Sequence, residues 1–211
     1  MPKSKKRTKA RSSVASGRAI SWGASHSGSR RKKEWVITAV VATTIVVGLG
    51  GYLTRDVLAK REFASLAALG AAALSGVETE PSDGRRHLDP GERHSYAARY
   101  PTSGPHEPVW VRAGFYDEAQ PPTRLVHSME HGNVVIYYDA PGAAALETLR
   151  RWSELYTGQW DGLVVTRDSG LGSRIVLSAW TRRLELDRFD PEAAAAFIDA
   201  FRGRGPENPV R

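Results

Sequence analysis

The chain has 211 residues, a formal net charge of +7 and no cysteine, which excludes disulfides, thiolate nucleophiles, cysteine-based zinc knuckles and iron–sulfur clusters. The positive charge is local: residues 1–34 hold eleven Lys and Arg against one acid, Glu34, and the rest of the chain is net −3. A basic tail on a mildly acidic body argues against a nucleic-acid-binding protein.

In chain order, residues 1–34 are rich in Ser, Gly, Lys and Arg and predict a disordered basic tail. Trp35–Leu53 (WVITAVVATTIVVGLGGYL) carries no charge. Its length as a helix is about 28 Å, close to the ~30 Å hydrocarbon core of a bilayer. Its nine Val, Ile and Leu residues contribute about −3 to −5 kcal/mol toward insertion. Trp35 and Tyr52 sit near its two ends, where amphipathic rings favour the interface. The segment therefore predicts a single transmembrane helix. Arg30, Arg31, Lys32 and Lys33 flank it on the N-terminal side, whereas Arg55 and Asp56 offset each other on the far side. The positive-inside rule makes this a signal anchor in the cell membrane, with the N-terminus cytoplasmic and the C-terminal part extracytoplasmic. The lipid bilayer is the expected partner, together with a protein of the cell envelope.

Residues 54–78 have helical composition and predict a stalk or linker, or a helix docked loosely on the domain; T-E-P-S-D-G at 79–84 marks a turn that opens the extracytoplasmic domain, 79–211. From His87 to Thr123 the chain is rich in Pro, Gly, His and aromatics, predicting ordered loop with short strands near Arg93–Ala97 and Val109–Tyr116. Asn133–Tyr138 (NVVIYY) predicts a strand. Ala143–Tyr156 predicts a helix, with Leu146, Leu149, Trp152 and Leu155 as its apolar stripe. Strands are expected over Leu163–Thr166 and Arg174–Thr181, with a short extension at Leu184–Leu186. A last helix runs from Pro191 to about Phe201, capped by Asp190. This order predicts an α+β domain of two layers: a mainly antiparallel sheet with helices on one face.

Five of the six histidines lie between 87 and 131: His87, His94, His106, His127 and His131. The sharpest piece is His127-Ser128-Met129-Glu130-His131. Two residues four apart share a face in a helix and also in a strand, so His127 and His131 pair in either conformation. Glu130 joins that face only in a helix. Imidazole nitrogens suit zinc or copper, and a pair needs further ligands, for which His106 and His87 are the candidates. Met129 offers a thioether that would favour copper(I). The string H-x-x-E-H also matches a metalloprotease pattern in which Glu130 is the general base, with Glu207 as a distant carboxylate. A site without metal is the competing reading, in which the histidines hydrogen-bond the loops and the domain is a structural or protein-interaction module.

These residues form a recognisable series. Gly84, His87 and Tyr96 are followed by P-T-S-G-P-H at Pro101–His106, Trp110 and Gly114-Phe115-Tyr116. Then come V-H-S-M-E-H-G at Val126–Gly132, Ser178-Ala179-Trp180 and Pro206-Glu207. Together they resemble a bacterial, membrane-anchored domain-of-unknown-function family, number 3105. The resemblance implies a domain without an established activity and places His87, His106, His127, Glu130 and His131 at motif positions, but not His94. The combined expectation is an anchored domain binding zinc or copper through His127, His131, His106 and His87. Glu130, Met129 and Tyr116 then stand around those ligands, and if the domain is a metal-dependent hydrolase, Glu130 is its base.

Overall fold

The structure, a computed structural model, describes residues 27–211, with the side chains of 27–33, 45–50, 52 and 53 left aside. Of the expected basic tail, residues 1–26 lie outside the described residues. The chain divides after Gly50. From Ser27 it is helical, in a helix α1 that runs to Leu69. Helix here extends back through Arg30–Lys33, where composition predicts disordered tail; extending a helix backward adds one hydrogen bond per residue ordered and needs no new nucleus.

Residues 34–44 of α1 are exposed, among them Trp35, 77% exposed, and Val36, Ile37, Val40 and Val41. Among the described residues no helix is long and apolar enough to cross a membrane, so the transmembrane helix expected over Trp35–Leu53 is not found there. That stretch includes 45–50, 52 and 53, whose side chains lie outside the described residues.

Residues 51–211 form the second unit. Six strands make one sheet: β1 (Glu78–Thr79), β2 (Gly114–Tyr116), β3 (Val134–Tyr138), β4 (Leu163–Arg167), β5 (Ile175–Ala179) and β6 (Arg182–Leu186), in the order β1-β6-β5-β3-β4-β2. The pairs β1/β6, β5/β6 and β3/β5 are antiparallel, whereas β3/β4 and β2/β4 are parallel. The fold is α+β with a mostly antiparallel sheet. The parallel pair β3/β4 exists because α3 (Ala143–Leu155) carries the chain back across the sheet between them. Arg93–Ala97, expected as a short strand, has no strand pairing.

Helices cover both faces of the sheet, not one. Every residue of β3 is buried. Val134, Ile136 and Tyr138 pack with Leu149 and Trp152 of α3 and with Phe197 and Ile198 of α4 (Pro191–Phe201). Val135 and Tyr137, on the alternate positions, pack with Leu125, Val126 and Met129 of α2 (Pro122–His131). The unbroken run VVIYY is the mark of a strand covered on both sides.

Two local features close the domain. The Asp190 carboxylate accepts from the amides of Glu192 and Ala193 at 3.0 and 3.1 Å, capping α4. The segment expected as a stalk contributes to the core: Phe63 is buried and meets Trp152 and Tyr156 edge-on at 5.2 and 4.9 Å between ring centres. The 3-10 turn Gly70–Gly76 then runs so close to α4 that a Cβ on Gly70 would fall 1.9 Å from the Glu192 carbonyl oxygen.

Candidate metal centre

The segment His127–His131 is helical and forms the last turns of α2, which settles its periodicity. α2 starts at Pro122 and ends on Gly132 in the left-handed region, φ 107°. His127, Glu130 and His131 stand at i, i+3 and i+4 and therefore share a face. All of residues 125–131 are buried. This face meets two loops and the C-terminal segment, and each delivers one or more polar side chains.

The first loop brings His106 and His87. Gly104 sits at φ 115°, and the His106 amide donates to the Arg86 carbonyl at 3.0 Å while Leu88 donates to His106 at 2.7 Å. This short parallel bridge sets His87 beside His106, with ring centres 5.0 Å apart. The second loop is fastened by Ser128, whose hydroxyl accepts from the Val111 amide at 3.0 Å and donates to its carbonyl at 2.8 Å. The Glu107 carboxylate accepts from Thr123 Oγ1 at 2.6 Å and Arg124 Nε at 2.8 Å, interactions that lower its pKa. The Glu107 carbonyl is thereby placed over His127. The C-terminal segment is fixed by Gly203 N donating to the Gly132 carbonyl at 2.8 Å and Glu207 N to the Glu130 carbonyl at 3.3 Å.

Four donors converge: one atom each from His87, His106, His127 and Glu130, all within 4.8 Å of one another. A second set, one atom each from His127, His131 and Glu207, also lies within 4.8 Å of one another. His106 Nε2 lies 3.0 Å and His87 Nε2 4.0 Å from Glu130 Oε2. Two ligand atoms of a tetrahedral zinc site, at ~2.0–2.1 Å from the ion, stand about 3.3 Å apart. Of the four side chains only His87 is open to solvent, at 52% exposure.

The protonation pattern follows from the backbone. Nδ1 of His106 lies 2.8 Å from the Gly104 carbonyl, and Nδ1 of His127 lies 2.7 Å from the Glu107 carbonyl. A carbonyl only accepts, so both Nδ1 atoms carry hydrogen and both Nε2 atoms present lone pairs when the rings are neutral. Burial pushes both imidazoles below their ordinary range, and burial with His127 pushes His131 down to about 4. The rings are therefore neutral at pH 7. Burial, and next the Glu207 charge, push the Glu130 carboxyl up. The buried Nε2 of His106 has no hydrogen-bond partner although the carboxylate oxygen is 3.0 Å away. Two lone-pair-bearing atoms at that distance repel unless a cation or proton lies between them.

The structure brings His87, His106 and His127 together and adds Glu130 as a direct donor, where the sequence suggested a supporting carboxylate. His131 belongs to the second set, with Nε2 3.0 Å from Glu207 Oε2, and its ring centre lies 4.6 and 4.4 Å from those of Trp110 and Trp160. Met129 is buried in the core on the sheet side of α2, which takes its sulfur away from the histidines. Tyr116 donates to the Arg112 carbonyl at 2.8 Å and lies outside both sets. His94 packs edge-on against Tyr96 at 4.6 Å and also belongs to neither. Glu107 escaped the sequence reading because its role runs through a backbone carbonyl, which leaves no side-chain motif.

The family model described as protein of unknown function (DUF3105) matches residues 87–211, a span holding every residue of both donor sets. No curated protein and no solved structure matches the chain. With more than half of its length in that match, the chain belongs to the DUF3105 family, whose function is not known.

Proposed function

We propose that this domain binds one divalent transition-metal ion, zinc or copper, through Nε2 of His87, His106 and His127 and Oε2 of Glu130. One observation carries the reading: the buried His106 Nε2 faces Glu130 Oε2 at 3.0 Å without a hydrogen bond, while its Nδ1 is held by a backbone carbonyl. That is how a ligating histidine is oriented, its second nitrogen donating outward so that the first keeps its lone pair for the ion. Three imidazoles and one carboxylate suit a four-coordinate borderline ion. With Glu130 among the ligands, its role as general base gives way to ligation. In the metal-free protein Arg85, 3.9 Å from Glu130 Oε1, offsets the carboxylate charge.

Equilibrium dialysis of the full chain against zinc and copper at pH 7.5 tests this. The unaltered protein should hold one ion per chain and the His106→Ala/His127→Ala variant none. Equal, substoichiometric metal in both would end the idea.

The proposal extends to location. The uncharged run Trp35–Leu53 behind four basic residues, and the exposure of Trp35, Val36 and Ile37, support a membrane anchor with the metal domain outside the cytoplasm. An envelope protein that supplies or receives the ion is the corresponding partner. Carbonate extraction of membranes from expressing cells checks the anchor: the chain should stay in the pellet, and its release to the supernatant would count against it.

A further inference from the structure

The two donor sets meet on a single residue, His127. Its Nδ1 is committed to the Glu107 carbonyl, and a neutral imidazole has one remaining lone pair. His127 therefore serves one set at a time. The sets are also unequal. The first has four donors, two of them oriented by backbone carbonyls. The second has three, and the buried Nδ1 of His131 has no hydrogen-bond partner. Ligation through His131 Nε2 leaves that N–H unsatisfied, which weakens the second position. Its carboxylate, Glu207, is 45% exposed and lies on the C-terminal segment.

We propose that the two sets are two stations for one exchangeable divalent ion, with His127 bound throughout. This rests on the metal binding proposed above. His131 and Glu207 receive the ion from solution. The ion then exchanges Glu207 and His131 for Glu130, His106 and His87 without becoming free, and release runs the same path in reverse. Only metal–ligand bonds are made and broken; no electron moves. The arrangement is suited to passing a metal on, and not only to storing it.

The test uses the full chain loaded with Zn2+, the Glu207→Gln variant, and a rapid-mixing measurement of zinc loss to excess chelator. Uptake and release should both slow by about tenfold in the variant, so that Kd moves by less than about threefold. One ion per chain is expected in both proteins. With Co2+ in place of zinc, the visible spectrum of the variant should match that of the unaltered chain, because the resting ion sits in the four-donor set. Unchanged release rates, two ions per unaltered chain, or a variant spectrum that differs would each overturn the two-station scheme while leaving metal binding intact. No uptake by the unaltered chain would instead remove the primary reading, and this one with it.

Discussion

His127 Nδ1 and the backbone carbonyl of Glu107 lie 2.7 Å apart, and the Glu107 side chain is itself held by Thr123 and Arg124. The His127 ring on α2 is thus oriented by a loop twenty residues upstream. Loosening that loop frees the His127 ring to rotate or change tautomer. Thr123→Val/Arg124→Ala should weaken zinc binding by about 10–100-fold, the usual range for groups that orient a metal ligand. A chelator-competition titration reads the change, and an unaltered Kd would show that the carbonyl contact does not position the ring.

Acid should destabilise the metal-free domain. His106, His127 and His131 have folded pKa values below their ordinary 6.5, that of His131 at about 4. Between the folded and unfolded values the unfolded chain takes up protons that the folded one refuses, so stability is lost as pH falls from about 6.5 toward 4. Glu130, pushed up, opposes this, since its folded form takes a proton first as pH drops toward 4.5. The large depression of His131, to about 4, sets the net direction. Thermal melts in chelator-treated buffer should show Tm falling across this window, and a flat profile from pH 7 to pH 4.5 would contradict it. Metal occupancy should fall in the same direction, because ligation needs the neutral imidazoles.

Gly205 is where the C-terminal segment touches α2. A Cβ there would lie 2.2 Å from both the Glu130 carbonyl oxygen and the Gly132 amide nitrogen, backbone atoms that have no rotamer to yield. Gly205→Ala should cost about 1–3 kcal/mol, typical of overpacking, and pull Glu207 away from His131. Denaturant unfolding measures the first effect, and the rate of zinc release the second. A variant as stable as the original would mean that residues 203–207 are not seated as described.

Phe63 tests whether residues 54–78 belong to the folded domain. Its ring is buried against Trp152 and Tyr156. Phe63→Ala should destabilise by about 3–5 kcal/mol, as for a large aromatic removed from a core. A loss under 1 kcal/mol in urea unfolding of the full chain would make this stretch a stalk after all.

Much of the regular structure could be read directly. The stripe Leu146, Leu149, Trp152 and Leu155 marks α3, and Asp190-Pro191 marks the start of α4 to the residue. These signals are local: a helix period and a capping side chain act within a few residues. The parallel pairing of β2 with β4 and the covering of both sheet faces were not legible, because they depend on which distant strands meet. The site divides in the same way. His87, His106 and His127 stood out by crowding and motif, whereas the division of Glu130 and His131 between two donor sets did not.

The sequence by itself determined the donor types, the absence of thiolates, the basic flank of an uncharged run and the spacing that puts His127 and His131 on one face in either periodicity. Only the tertiary structure decided that this face is helical, that Glu130 shares it, and that two loops and the C-terminal segment divide the donors into two sets around His127. The reason is physical. Ligand spacing along one helix is a property of its backbone, but convergence over gaps of twenty to eighty residues is set by hydrogen bonds and close backbone contacts that form only when the whole domain has packed.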